Sequence, residues 1–179
     1  KKRHGLRELL ISDPGAAELP FAPIETYASR RALAASRRVW AQRGANRRAL
    51  WSSDALRAAC VFGGCDAWPL LREEFAGISH LQFPWSARLM DEAAASLDIL
   101  RPRAVITYAE AGGAGRALVL EARRRGIPTI ALQHGFIYRH WLNYRHEADE
   151  MAPSPGNPPD RGFPRPDLTL VYDRFTAHH

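Results

Sequence analysis

Residues 104–135 read AVITYAEAGGAGRALVLEARRRGIPTIALQHG, and the reading of the fold turns on them. Ala104 to Ala109 is β-branched and aromatic, as a buried strand should be. Gly112 to Gly115 make a flexible turn. Arg116 to Arg125 then sets Leu118 and Ala122 on an apolar stripe with charges opposite, the pattern of a surface helix, and Gly126 stops it. Pro128 to Gln133 is the next strand. Strand, glycine turn, helix and strand in about 30 residues make a βαβ unit, whose two strands are parallel and whose crossover is right-handed in nearly all proteins. Asp167 to Tyr172, DLTLVY, reads as another parallel strand.

Working outward, the 179 residues suit one ordinary domain. A hydrophobic content of 46% with 25% charged residues is globular, and no stretch approaches the roughly 20 apolar residues of a membrane span. The chain opens KKRHG and closes VYDRFTAHH, which reads as a piece of a longer protein. The net charge of +6 is carried almost wholly by arginine, since Lys1 and Lys2 are the only lysines. With abundant alanine, this reflects GC-rich codon usage more than a specific nucleic-acid partner. Arg30, Arg31, Arg37 and Arg38 recur at seven-residue spacing on a helix expected over Ala28–Gln42, with Leu33, Val39 and Trp40 inward and Gly44 as its end. That face is either simply solvated or a surface for phosphates or an anionic glycan. Further helices are expected at Ser53–Phe62 and Pro69–Ala76, and from Pro84, with Trp85, Leu89, Ala93 and Leu97 inward, to a stop at Leu100–Pro102. Cys60 and Cys65 have neither zinc-ribbon nor redox spacing and read as ordinary thiols. Between Tyr138 and Asp167 lies a long, proline-rich irregular segment, a kind of loop that is usually functional or mobile.

Ligands of open parallel sheets bind beyond the carboxyl ends of the strands. The first such loop carries Glu110, Gly112, Gly113, Gly115 and Arg116; the second carries Gln133, His134, Gly135, Tyr138 and His140. If the strands are neighbours, both loops open at one edge. His134 beside a carboxylate can take a proton from a hydroxyl nucleophile, or it can simply be hydrogen-bonded in a tight turn. EAGGAGR has half of a dinucleotide fingerprint, but Leu118 replaces its third glycine and no acid ends the next strand, so no cofactor is assigned. The glycines either bring backbone amides toward an anion or make a turn without a ligand. His134, His140 and His146 are spaced by six, a poor ligand spacing on a helix, so no metal is assigned.

Arg101 to Gly135, with Gly126-Ile-Pro-Thr129 leading into Leu132-Gln-His-Gly135, resembles the N-terminal Rossmann-like domain of GT-B glycosyltransferases. The likeness extends to bacterial surface-polysaccharide enzymes, including glycerophosphotransferases of teichoic acid synthesis. Where those glycerophosphotransferases carry Trp before His-Gly, this chain has Gln133. The resemblance implies an α/β fold, with an open parallel sheet flanked by helices, as one half of a two-domain GT-B architecture. Residues 1–179 would form that single domain: 1–100 a mostly helical lead-in, 101–135 the βαβ unit, 136–166 a long loop, and 167–179 the last strand and the start of an interdomain segment. It implies an acceptor-side domain for transfer of a sugar or polyol phosphate from a nucleotide-activated donor. The donor would bind a further C-terminal domain, and the acceptor would be a carbohydrate or lipid-linked molecule. His134 would be the base, with Glu110 orienting it or holding substrate. The glycines, Arg116, Gln133, Tyr138 and His140 would line the substrate. Such a domain works in the cytoplasm, with peripheral contact at the inner face of the membrane, and alone is incomplete as a catalyst. The rival expectation is a noncatalytic module whose arginine- and aromatic-rich loop holds an anionic polymer or a partner protein.

Overall fold

The computed structural model describes residues 22–108, 110–133, 135, 152 and 164–177, which form a mixed α/β structure dominated by helices. After a 3-10 turn at Ile24–Tyr27, the first helix, α1, spans Ala34–Trp51. Arg30 and Arg31 precede it, so only Arg37 and Arg38 of the expected arginine pairs are helical. The helix does not stop at Gly44, because a single helical glycine costs only about 1 kcal/mol against alanine and α1 packs along the later helices. Leu33 offers its start no side-chain cap. Asp91, far along the chain, instead accepts the Ser36 N–H at 2.8 Å.

Helix α2, Asp54–Ala59, is capped by the Ser53 hydroxyl, which accepts the Leu56 N–H at 3.2 Å. Strands β1 (Val61–Phe62) and β2 (Cys65–Asp66) then pair antiparallel around Gly63 and Gly64, whose φ values of 56° and 82° suit a tight hairpin turn open to glycine. Both cysteines are free. Helix α3 (Trp68–Gly77) passes through a π turn at Ile78–Gln82 into α4 (Phe83–Leu100). The backbone stays right-handed helical across the junction, so Pro84 does not begin an isolated helix. Proline lacks an N–H and crowds the preceding turn, and the wider π turn accommodates both defects. Arg101, with φ 45°, ends α4 in the left-handed region and donates its N–H to the Leu97 carbonyl at 2.9 Å.

The βαβ unit follows as β3 (Val105–Tyr108), α5 (Gly113–Arg124) and β4 (Thr129–Leu132), and β3 and β4 are parallel neighbours from Val105–Thr129 to Tyr108–Leu132. Strand β5 (Leu168–Leu170) pairs parallel on the other side of β4, giving the order β3-β4-β5, and a one-turn helix, α6, spans Arg174–Ala177. Val105, Thr107, Thr129 and Ala131 point from the sheet into the buried layer, where Leu97, Val105 and Ala122 form a core flanked by Leu118 and Ile127. Alternate residues point away, and Ile106 and Tyr108 are 66% and 64% exposed, so among the described elements only one face of this parallel sheet is covered. No described helix is long and apolar enough to cross a membrane.

Polar bonds fix the register of this half. The Arg125 guanidinium bridges Asp98 of α4, at 2.7 Å, and the buried Glu121 of α5. Asp167 accepts both the backbone N–H and the hydroxyl of Thr129 at 2.8 Å, locking the start of β4 to that of β5. The Thr129 hydroxyl bond, then its N–H, hold the Asp167 carboxyl below its ordinary range, and the hydrogen bond from Arg125 does the same for Asp98. A carboxyl whose pKa falls on folding stabilises the fold above its unfolded value of about 4 and loses that contribution as pH falls through the lower folded value. Thermal melts should therefore show wild type more stable than Asp167→Asn at neutral pH, with the two converging as acid protonates Asp167 in the folded state.

Candidate functional site

Tyr108 lies opposite Leu132, so β3 and β4 end level and their loops leave the same edge of the sheet. Glu110 lies two residues past β3, with its side chain buried at 6% exposure, and its Oε2 has no hydrogen-bond partner among the described residues. An ionised carboxylate in that position is costly unless a ligand, water or cation satisfies it, although the nearby helix N-terminus favours negative charge. The glycine turn follows. Gly112 is extended at φ −75° and ψ 157°, offers α5 no side-chain cap, and accepts the Arg116 N–H at 2.9 Å. Neither Gly112, Gly113 nor Gly115 has positive φ, so left-handed geometry is not what calls for glycine here. Close approach is the reason at Gly113: a Cβ there would sit 3.3 Å from Leu89 Cδ1 of α4. Gly115 is buried and Arg116 half-buried at the first turn of α5.

At the end of β4, Gln133 is 2% exposed and its polar groups meet backbone. Its N–H donates to the Leu170 carbonyl at 2.9 Å, its Oε1 accepts the Tyr172 N–H at 2.8 Å, and its Nε2 donates to the Gly135 carbonyl at 2.7 Å. The side chain expected to touch substrate thus ties Gly135 to the chain leaving β5. Gly135 is half-buried. His134, Tyr138 and His140, and the spaced histidines as a set, lie outside the described residues. Among the described residues no group of three or more His, Cys, Asp or Glu is placed to hold a metal ion. The structure therefore brings Glu110, the glycine turn, Gln133 and Gly135 to one sheet edge.

A second feature was not expected. A cleft of about 920 Å³ lies between α1 and α4 and reaches the N-terminus of α5 at Gly113 and Ala114. Trp40 and Trp85 stand in its walls, 49% and 62% exposed, instead of facing inward. The reason for Trp85 is helical drift. Four-residue spacing turns about 40° past a full revolution at each step, so Ala93 and Leu97 are buried, Leu89 is half-buried and Trp85 has rotated out. Trp40 is held by Arg43, whose guanidinium stacks 4.4 Å from the ring centroid and whose Nη1 donates to the Trp40 carbonyl at 2.7 Å. The signal available in the sequence was the lack of any Asp or Glu in α1 beside five arginines and two tryptophans.

Compared with protein-family models, curated proteins and solved structures, the chain matches none. Stability measurements can separate the two sides of the edge. Glu110→Gln removes a charge with an unsatisfied oxygen and should leave stability unchanged or raised in urea unfolding. Gln133→Leu strands the Tyr172 N–H and Gly135 carbonyl and should cost about 1–3 kcal/mol.

Proposed function

We propose that this chain is a Rossmann-like, acceptor-side domain of a GT-B-like transferase that moves a sugar or polyol phosphate from a nucleotide-activated donor, in bacterial surface-polysaccharide synthesis. The reading is supported by the parallel β3-β4-β5 sheet and by the loops leaving β3 and β4 at one carboxyl edge, where an α/β sheet takes its ligand. The observation that carries it is Glu110, buried yet with an oxygen that no group among the described residues satisfies. Buried carboxylates with spare acceptor capacity are kept for catalysis or binding more readily than for stability.

In the proposed reaction, the oxygen of an acceptor hydroxyl attacks the anomeric carbon of the donor, or the phosphorus of a polyol phosphate. The bond to the nucleotide breaks, its electron pair leaves with the nucleotide phosphate, and the acceptor proton passes to the His134 imidazole. Glu110 orients the imidazole or the acceptor hydroxyl. Gln133 sets the turn that carries His134 through its bonds to Gly135 and Tyr172. Gly112, Gly113 and Gly115 allow the start of α5 to lie close to an anionic group, with Arg116 beside it. The donor nucleotide binds a second domain.

The test is nucleotide release by the native protein, offered uridine, guanosine and cytidine diphosphate sugars and cytidine diphosphate glycerol with glycan acceptors. His134→Ala should lower release by about 10²–10⁴-fold, and Glu110→Gln should lower it without weakening donor binding. If both variants match wild type, the chain is instead a noncatalytic module for an anionic polymer or partner protein.

A further inference from the structure

The cleft between α1 and α4 has a chemistry of its own. Trp40 of α1 lines it together with Leu81 of the π turn and Trp85 and Leu89 of α4, and most of its lining is carbon. Exposed tryptophan and leucine side chains grouped in one concave site are unusual for a surface with nothing to bind, since ligand clefts are commonly about 300–1,000 Å³ with apolar walls and a few polar groups. Charge is distributed unevenly around it. Helix α1 carries Arg37, Arg38, Arg43, Arg47 and Arg48 with no acidic residue. Arg37 is exposed at the wall, and its guanidinium has no ion pair among the described residues. On the other wall Arg88 is paired through Nε to the buried Glu92 at 2.7 Å, so its charge is already partly met within the protein. Of the other acids on this side, Asp91 accepts the Ser36 N–H, and Glu25 acts on Arg88 on the opposite wall from α1. The floor is Gly113, the first residue of α5, where a methyl group would already press on Leu89.

We propose that this cleft binds a single-chain amphiphile with a phosphate head: the chain lies between Trp40 and Trp85, and the phosphate meets Arg37 at the rim. A neutral apolar ligand would leave the acid-free arginine face unused. A bare phosphate would leave the tryptophans exposed. One molecule carrying both groups satisfies the two features together. That such a molecule is also the acceptor rests on the transferase reading; that it binds does not.

The experiment is titration of the protein, followed by tryptophan fluorescence and calorimetry, with decyl phosphate below its micellar concentration. Decanol, inorganic phosphate and anionic phospholipid vesicles are run in parallel. The expected result is saturable binding of decyl phosphate, weaker binding of decanol, and none of inorganic phosphate. Trp85→Ala should weaken binding about tenfold or more, and Arg37→Gln about three- to tenfold, with the latter effect shrinking at high salt. Both side chains are exposed, so both variants keep the fold. No saturable binding, equal affinity for decanol, wild-type affinity in Trp85→Ala, or binding to vesicles alone would each overturn the proposal. Decyl phosphate binding without nucleotide release would sink only the transferase reading, whereas release by a protein blind to decyl phosphate would sink only this one.

Discussion

Small side chains let α5 lie close against α4, and that contact sets the position of everything around it. Ala93 of α4 and Ala122 and Val119 of α5 are fully buried, and Leu97, Val105 and Ala122 join the two helices and β3 into one core. The crossover helix must carry the chain from the end of β3 back to the start of β4, so its approach decides where that strand can pair. Arg125 then joins Asp98 and Glu121 across the helix pair, while Asp167 fastens β5 to Thr129. With the start of β4 held by Asp167 and its end by the bonds of Gln133 to Leu170 and Tyr172, the loops after β3 and β4 have one edge from which to leave.

The same contact explains the glycine turn. Gly113 comes so near Leu89 that a larger residue would press on α4, and α4 lines the cleft that opens toward α1. Pro84 and the π turn prepare α4 for this, since a helix straight through Pro84 would have met its ring and its missing N–H without relief. The sheet edge and the cleft are therefore connected through one helix N-terminus, and a ligand reaching from one to the other would pass over Gly113.

Local pattern was sufficient to read the βαβ unit, because strand composition, a glycine turn, an amphipathic helix and Gly126 all agreed over a short distance. Glu110, the glycines, Gln133 and Gly135 were legible as an edge cluster for the same reason. The reading failed where long-range packing decided the outcome. Gly44 did not end α1, because packing against α4 outweighs one glycine. Trp85 was placed inward because i, i+4 spacing was followed for too many turns, Trp40 because it was grouped with Leu33 and Val39 on one helix face, and the cleft they line depends on how two distant helices meet. The hairpin Val61–Asp66 was hidden by its two-residue strands, although Gly63-Gly64 was its signal. The bonds of Gln133 to Tyr172 and Gly135 were not legible, because they depend on where the distant strand β5 comes to lie.

The proposed active site depends on Glu110, a buried carboxyl at the sheet edge whose Oε2 has no hydrogen-bond partner among the described residues. Among the described residues no group satisfies Glu110 Oε2, and in the proposed chemistry its partner is the His134 imidazole or the acceptor hydroxyl. The most direct measurement is an NMR titration of the His134 ring in wild type and in Glu110→Gln. A carboxylate facing the ring stabilises the imidazolium, so the His134 midpoint should move to lower pH in the variant. An identical midpoint in both proteins would contradict the pairing and with it the assignment of the edge as an active site.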